Sequence, residues 1–119
     1  MQNIDDNKVV ASVILEQLGG HRFMVMTGVK NFYTNGNDLC MCLPRNASKA
    51  NKLKITLRPD DTYDMEFFRF TSAHFRCNHK TGEATWVDDK RTQVRLFEGI
   101  YFDQLQELFT EVTGMYTHL

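Results

Sequence analysis

The stretch LCMCLPRNASKANKLKITL, residues 39–57, decides the fold of this chain. Apolar residues fall on every second position before its centre (Leu39, Met41, Leu43) and again after it (Leu53, Ile55, Leu57). A period of two sends alternate side chains to one face, so the stretch predicts two half-buried strands, near 38–43 and 52–58. Their connection carries Arg45, Asn46, Lys49, Asn51 and Lys52, a cationic, amide-rich loop held out to solvent.

Working outward, Val9, Val10, Val13, Ile14, Gln17 and Leu18 form a 3.6-residue stripe. Asp5 and Asp6 stand where caps belong, and Gly19-Gly20 follows as a stop, which predicts a helix over 6–18. HRFMVMT (21–27) reads as a strand with Phe23 and Val25 on one face, broken by Gly28. The segment Lys30-Asn31-Phe32-Tyr33 then leads into a turn at Asn35-Gly36-Asn37-Asp38. Pro59-Asp60-Asp61 is a turn before the aromatic strand TYDMEFFRF (62–70), where adjacent Phe67 and Phe68 predict burial on both faces or a bulge. A hairpin is expected around Lys80-Thr81-Gly82, from 72–79 and 83–87, followed by a strand from Thr92 to Phe97. A last helix over 102–113 carries the stripe Phe102, Leu105, Leu108, Phe109, Val112 and ends at Gly114. The expectation is a single α+β domain over 1–119. It consists of an antiparallel meander of about four to six strands with the N-terminal and C-terminal helices on one face, since neither amphipathic helix is stable alone.

Composition narrows the class. With 42% apolar and 24% charged residues the chain is ordinary for a globular protein, and no apolar run reaches the roughly 20 residues of a membrane span. MQNIDDNKVV has acids where a secretory signal has bases, and three cysteines cannot all pair within the chain. Reduced thiols in a cytoplasm are therefore expected. Net charge is −1, but it is unevenly spread. Residues 45–95 carry eleven Lys/Arg against seven Asp/Glu, whereas residues 96–119 carry none against four. A basic middle and an acidic end can steer a charged partner.

Catalytic patterns are weak. Cys40-x-Cys42 with Cys77-x-His79 supplies four ligand types, yet structural zinc sites draw their ligand pairs from tight C-x2-4-C turns, so no metal or other cofactor is expected. Cys77 with His74 or His79 would be a thiol–base pair, but no oxyanion-hole motif or orienting acid accompanies it. Asp60-Asp61 and Asp88-Asp89 read as turn acids, His21, His74 and His118 as ordinary polar residues, and Gly19-Gly20 does not continue into a phosphate loop. No catalytic residue is assigned. The basic loop is the better candidate, because Lys and Arg neutralise phosphates while Asn adds amide hydrogen bonds. Lys30, Lys54, Trp86 and Arg91 extend this candidate partner surface, and Tyr33, Phe68, Phe70, Phe75 and Trp86 are available to stack on bases. The plainer reading is a solvated loop on an ordinary sheet.

At QLGGHRFMVMTGVKNF (17–32), LPRNASKANKLKITL (43–57), TYDMEFFRF (62–70) and YFDQLQELFTEVTGMYTHL (101–119) the chain resembles a family of short proteins encoded by bacteriophages and mobile elements. The resemblance covers most of the chain outside roughly 71–98, where this sequence is the longer. It transfers no catalytic residue. What it implies is a bacterial host cytoplasm and an accessory gene, a setting in which small proteins often inhibit host defences. The functional expectation is a non-enzymatic binding protein acting on a host defence protein or nucleoprotein, as an anti-CRISPR protein acts on a Cas effector or its guide RNA. The alternatives are an accessory protein that binds RNA or single-stranded DNA, and a metal- or thiol-dependent enzyme.

Overall fold

The computed structural model describes residues 3–34 and 36–117, without the side chains of 3–8. The cap residues Asp5 and Asp6, the turn residue Asn35 and His118 thus lie outside the described residues or side chains. Two helices, α1 (Asn3–Leu18) and α2 (Gly20–Thr27), precede the strands β1 (Lys30–Tyr33), β2 (Asp38–Cys42), β3 (Lys52–Leu57), β4 (Tyr63–Thr71), β5 (His74–Cys77), β6 (Ala84–Val87) and β7 (Lys90–Ile100). A 3-10 turn (Phe102–Gln104) leads into α3 (Leu105–Thr113). The main sheet is antiparallel in the order β1-β2-β3-β4-β7, while β5 and β6 pair only with each other. This is the expected α+β meander, with a hairpin set into it.

The period-2 stretch folds as two strands, but only β3 is half-buried, since Asp38 and Cys40 of β2 are buried on the face away from the helices. Leu39 lies opposite Ile55 and Met41 opposite Leu53, and these continue to Met65 and Phe67 of β4. That row joins Ile14 and Leu18 of α1, Phe23 of α2, and Leu105, Phe109 and Val112 of α3 in one core. All three helices therefore cover one face of the sheet. Phe23 stands edge-on to Phe109 with centroids 4.9 Å apart, and Phe109 is tilted over Phe67 at 6.3 Å. Each such ring removed from water contributes about 1.5–3 kcal/mol. Phe68 is buried on the opposite face, and the β4–β7 register shifts between Phe67 and Phe68, so both-face burial and a bulge occur together.

The segment 21–27 is a helix, not a strand. Gly19 at φ +123 turns the chain straight from α1 into α2, and a Cβ there would stand 3.2 Å from Phe23 Cβ. Helical spacing puts Phe23 and Thr27 inward together, whereas Val25 is 67% exposed. The packing of Phe23 on Phe109 overrides the strand preference of the local residues. Two stripes are also narrower than read. Val9, Val13 and Phe102 are exposed, while Val10, Ala11, Leu15 and Leu108 pack against the core. Residues 30–33 form the edge strand β1, where only a lead into a turn was read. No helix among the described residues is long and apolar enough to cross a membrane.

Candidate partner surface

The loop between β2 and β3 is held by its own polar groups. The Leu43 N–H donates to Asn51 O (2.9 Å), closing its base. Asn46 Nδ2 donates to Pro44 O and Ala50 O (both 2.8 Å), and Asn46 Oδ1 accepts from Ser48 N (3.0 Å) and the Ser48 hydroxyl. Lys49 adopts φ 68, the left-handed region, which lets the chain double back within these bonds. Ala47 N donates to Thr113 O (3.1 Å) and fastens the loop to the C-terminal end of α3. Asn51 extends the sheet beyond β3. Its Nδ2 donates to Phe70 O, its Oδ1 accepts from Phe70 N (both 2.8 Å), and its N–H donates to Phe68 O (3.1 Å).

The two asparagines read as partner-contacting amides are therefore braces. What the loop offers outward is charge. Arg45 and Lys49 are exposed, and Arg69 of β4 joins them by donating from Nη1 to Lys49 O (2.9 Å). The three line a hollow of about 560 Å³, walled by Leu43, Pro44 and Ala47. None of the three makes an ion pair among the described residues. Sequence reasoning missed Arg69, since its place beneath the loop depends on the register of β3 on β4, which sets Lys52 opposite Phe68.

The remaining candidate residues sit elsewhere. Lys30, Lys52 and Lys54 lie on the sheet face opposite the helices, in register with Cys42, Cys42 and Cys40. Three cations on that face are paired, while Lys30 and Lys52 make no ion pair among the described residues: Lys54 reaches Asp38 (3.7 Å), Arg58 holds Asp64 through Nη1 (3.0 Å), and Arg91 meets Glu66 (2.6 Å) with its guanidinium 3.9 Å above the Phe68 ring. Lys52 Nζ donates to Cys42 Sγ (2.9 Å), which is the main reason the Cys42 thiol is held below its ordinary pKa, against an opposing effect of burial. Two residues away, burial and then the Asp38 charge push the Cys40 thiol up, and burial likewise raises Tyr33 beside it. Trp86 belongs to the β5–β6 hairpin, edge-on to Phe75 at 4.9 Å, with Nε1 donating to Asp88 (2.7 Å).

Cys77 and His79 belong to that hairpin, away from Cys40 and Cys42 on β2. Among the described residues no three His, Cys, Asp or Glu side chains gather as a metal site would require. His74 Nδ1 lies 2.8 Å from Ser72 O. A scan against models of known protein families and searches of curated proteins and solved structures give no match to this chain. The geometry of the surface therefore carries the functional reading.

Proposed function

We propose that this is a binding protein that grips a polyanionic partner through the Arg45–Lys49–Arg69 patch. In the host setting implied by the phage-family resemblance, that partner is a defence nucleoprotein such as a CRISPR effector with its guide RNA, and the protein acts as its inhibitor. One observation carries the reading: three cations without ion-pair partners among the described residues surround a hollow on a loop already fixed by hydrogen bonds. A rigid loop loses little conformational entropy on binding, so more of each phosphate contact appears as affinity. The open sheet face supports the reading less well, because Lys54, Arg58 and Arg91 on it are already held by Asp38, Asp64 and Glu66. The second reading, an accessory protein that binds RNA or single-stranded DNA directly, uses the same patch.

The test compares labelled single-stranded RNA and DNA with the nucleoprotein recovered from a CRISPR-bearing host, across a salt series. Three phosphate contacts to a single strand give a log-affinity slope of about two against log salt, and Arg45→Ala, Lys49→Ala and Arg69→Ala together should remove it. Binding of the nucleoprotein alone supports inhibition, and equal binding of naked strands supports the second reading. A triple variant that binds either partner with unchanged affinity and slope sinks both.

A further inference from the structure

A second hollow, of about 750 Å³, lies where the 3-10 turn and α3 meet the end of α1. Its walls include Phe102 and Tyr116, which are 59% and 70% exposed, and the carboxylates of Asp103 and Glu107. Gln106 fixes the floor, since its Nε2 donates to Gln17 O (3.1 Å) and its Oε1 accepts from the Thr117 hydroxyl (3.0 Å).

The groove is therefore rich in acceptors. Asp103 and Glu107 make no ion pair among the described residues, and no Lys or Arg lines it. The N-terminal end of α3 contributes roughly half a positive charge. Two full carboxylates outweigh that, so an anion is repelled and a cation is attracted. A wholly apolar segment would leave both carboxylates without donors. A guanidinium satisfies both demands, since its planar fork donates to carboxylates while its face stacks on aromatic rings.

We infer that this groove is a docking site for an arginine-bearing segment of a protein partner. The inference rests on the proposed function in one respect only, that the partner offering this segment is the protein half of a nucleoprotein. Proteins that hold nucleic acid present arginine-rich faces, and such a face lies beside the phosphates that the basic loop would contact. The loop is fastened to the C-terminal end of α3 and the groove runs along that helix from the 3-10 turn to Thr110, so the two adjoin one nine-residue helix.

The probe is a labelled, capped Arg-Gly repeat peptide, with its Gln-Gly counterpart as control, titrated by fluorescence anisotropy and by amide NMR on the full chain. Shifts should concentrate at Phe102, Asp103, Gln106, Glu107 and Tyr116. Asp103→Asn with Glu107→Gln should weaken the Arg peptide about tenfold, and Phe102→Ala about threefold. A control with the same charge change, Glu83→Gln with Asp88→Asn on the hairpin, should leave the affinity unchanged. The basic-loop triple variant should bind the peptide normally while losing oligonucleotide, which separates failure of this inference from failure of the proposed function. Equal loss in the hairpin control would reduce the effect to general attraction and overturn the site. Concentration-dependent self-association in the ultracentrifuge, abolished by the Asp103 and Glu107 substitutions, would assign the groove to a second copy and overturn the proposed partner.

Discussion

Asn46 and Asn51 are the same residue type, five positions apart in one loop, and their contacts are local in one case and distant in the other. Asn46 hydrogen-bonds to the chain within four residues on either side, a habit that makes asparagine common in turns, so the signal for a brace was local even though a partner contact was read. Asn51 clamps Phe70, nineteen residues away, and only the register of β3 on β4 makes that pairing visible. Cys40 and Cys42 make a similar contrast on one face of β2. Cys42 is paired with the Lys52 ammonium and only half-buried, whereas Cys40 is 4% exposed and its thiol is pushed up. With Cys77 changed to Ser, iodoacetamide should therefore label Cys42 while Cys40 stays protected until unfolding. The labelling midpoint of Cys42 should lie below the ordinary thiol range, because a lowered pKa gives thiolate at lower pH. Lys52→Met should move that midpoint upward. A profile unchanged by the substitution would show that the 2.9 Å contact does not set the thiol's acidity.

At the scale of elements, β2 and β3 were legible because the helix-facing side of each is apolar, which imposes the period of two, although burial of Asp38 and Cys40 covers β2 on its other face too. The C-terminal end of the last helix was legible too, with Gly114 at φ 76 donating to Thr110 O, whereas its start was read three residues early, in the 3-10 turn. The segment 21–27 misled because seven residues permit either period, and its helical state is decided by Phe109, more than eighty residues later. The β5–β6 hairpin was legible from its turn, but not its isolation. All four residues of β5 are exposed, and Phe75 and Trp86 pack on each other and not on the core. Such a hairpin is marginal in water and adds little to the stability of the sheet. Replacing residues 72–89 by Asn-Gly, which joins Thr71 to its register partner Lys90 with a two-residue turn, should leave a cooperatively folded protein. Its melting temperature by circular dichroism should lie within a few degrees of the parent's. Loss of cooperative melting would show that the hairpin supports β4 and β7 after all.

For the whole molecule, the question is what keeps the two charged poles at fixed separation. The acidic groove is lined by α3 and the basic loop is tied to the end of that helix through Ala47 N and Thr113 O, so the attachment of α3 to the sheet sets the geometry of the proposed surface. Phe109 makes that attachment. It is fully buried, edge-on to Phe23 of α2 and tilted over Phe67 of β4, so it ties a neighbouring helix and a central strand to α3 at one point. Truncating a buried Phe costs about 3–5 kcal/mol, from lost transfer and the cavity left behind. Against a total of about 5–15 kcal/mol for a domain of ordinary stability, Phe109→Ala should bring the chain close to unfolding. Phe102, seven residues earlier in the same apolar stripe, is 59% exposed, and Phe102→Ala should change stability by no more than about 0.5 kcal/mol. Urea unfolding should be followed by circular dichroism, because the single tryptophan, Trp86, sits on the hairpin and does not report on the core. A large fall in midpoint for the first variant and almost none for the second would place Phe109 in the scaffold and leave Phe102 free for a partner. Similar losses in both would mean that Phe102 supports the fold, and its exposure would then argue nothing about binding.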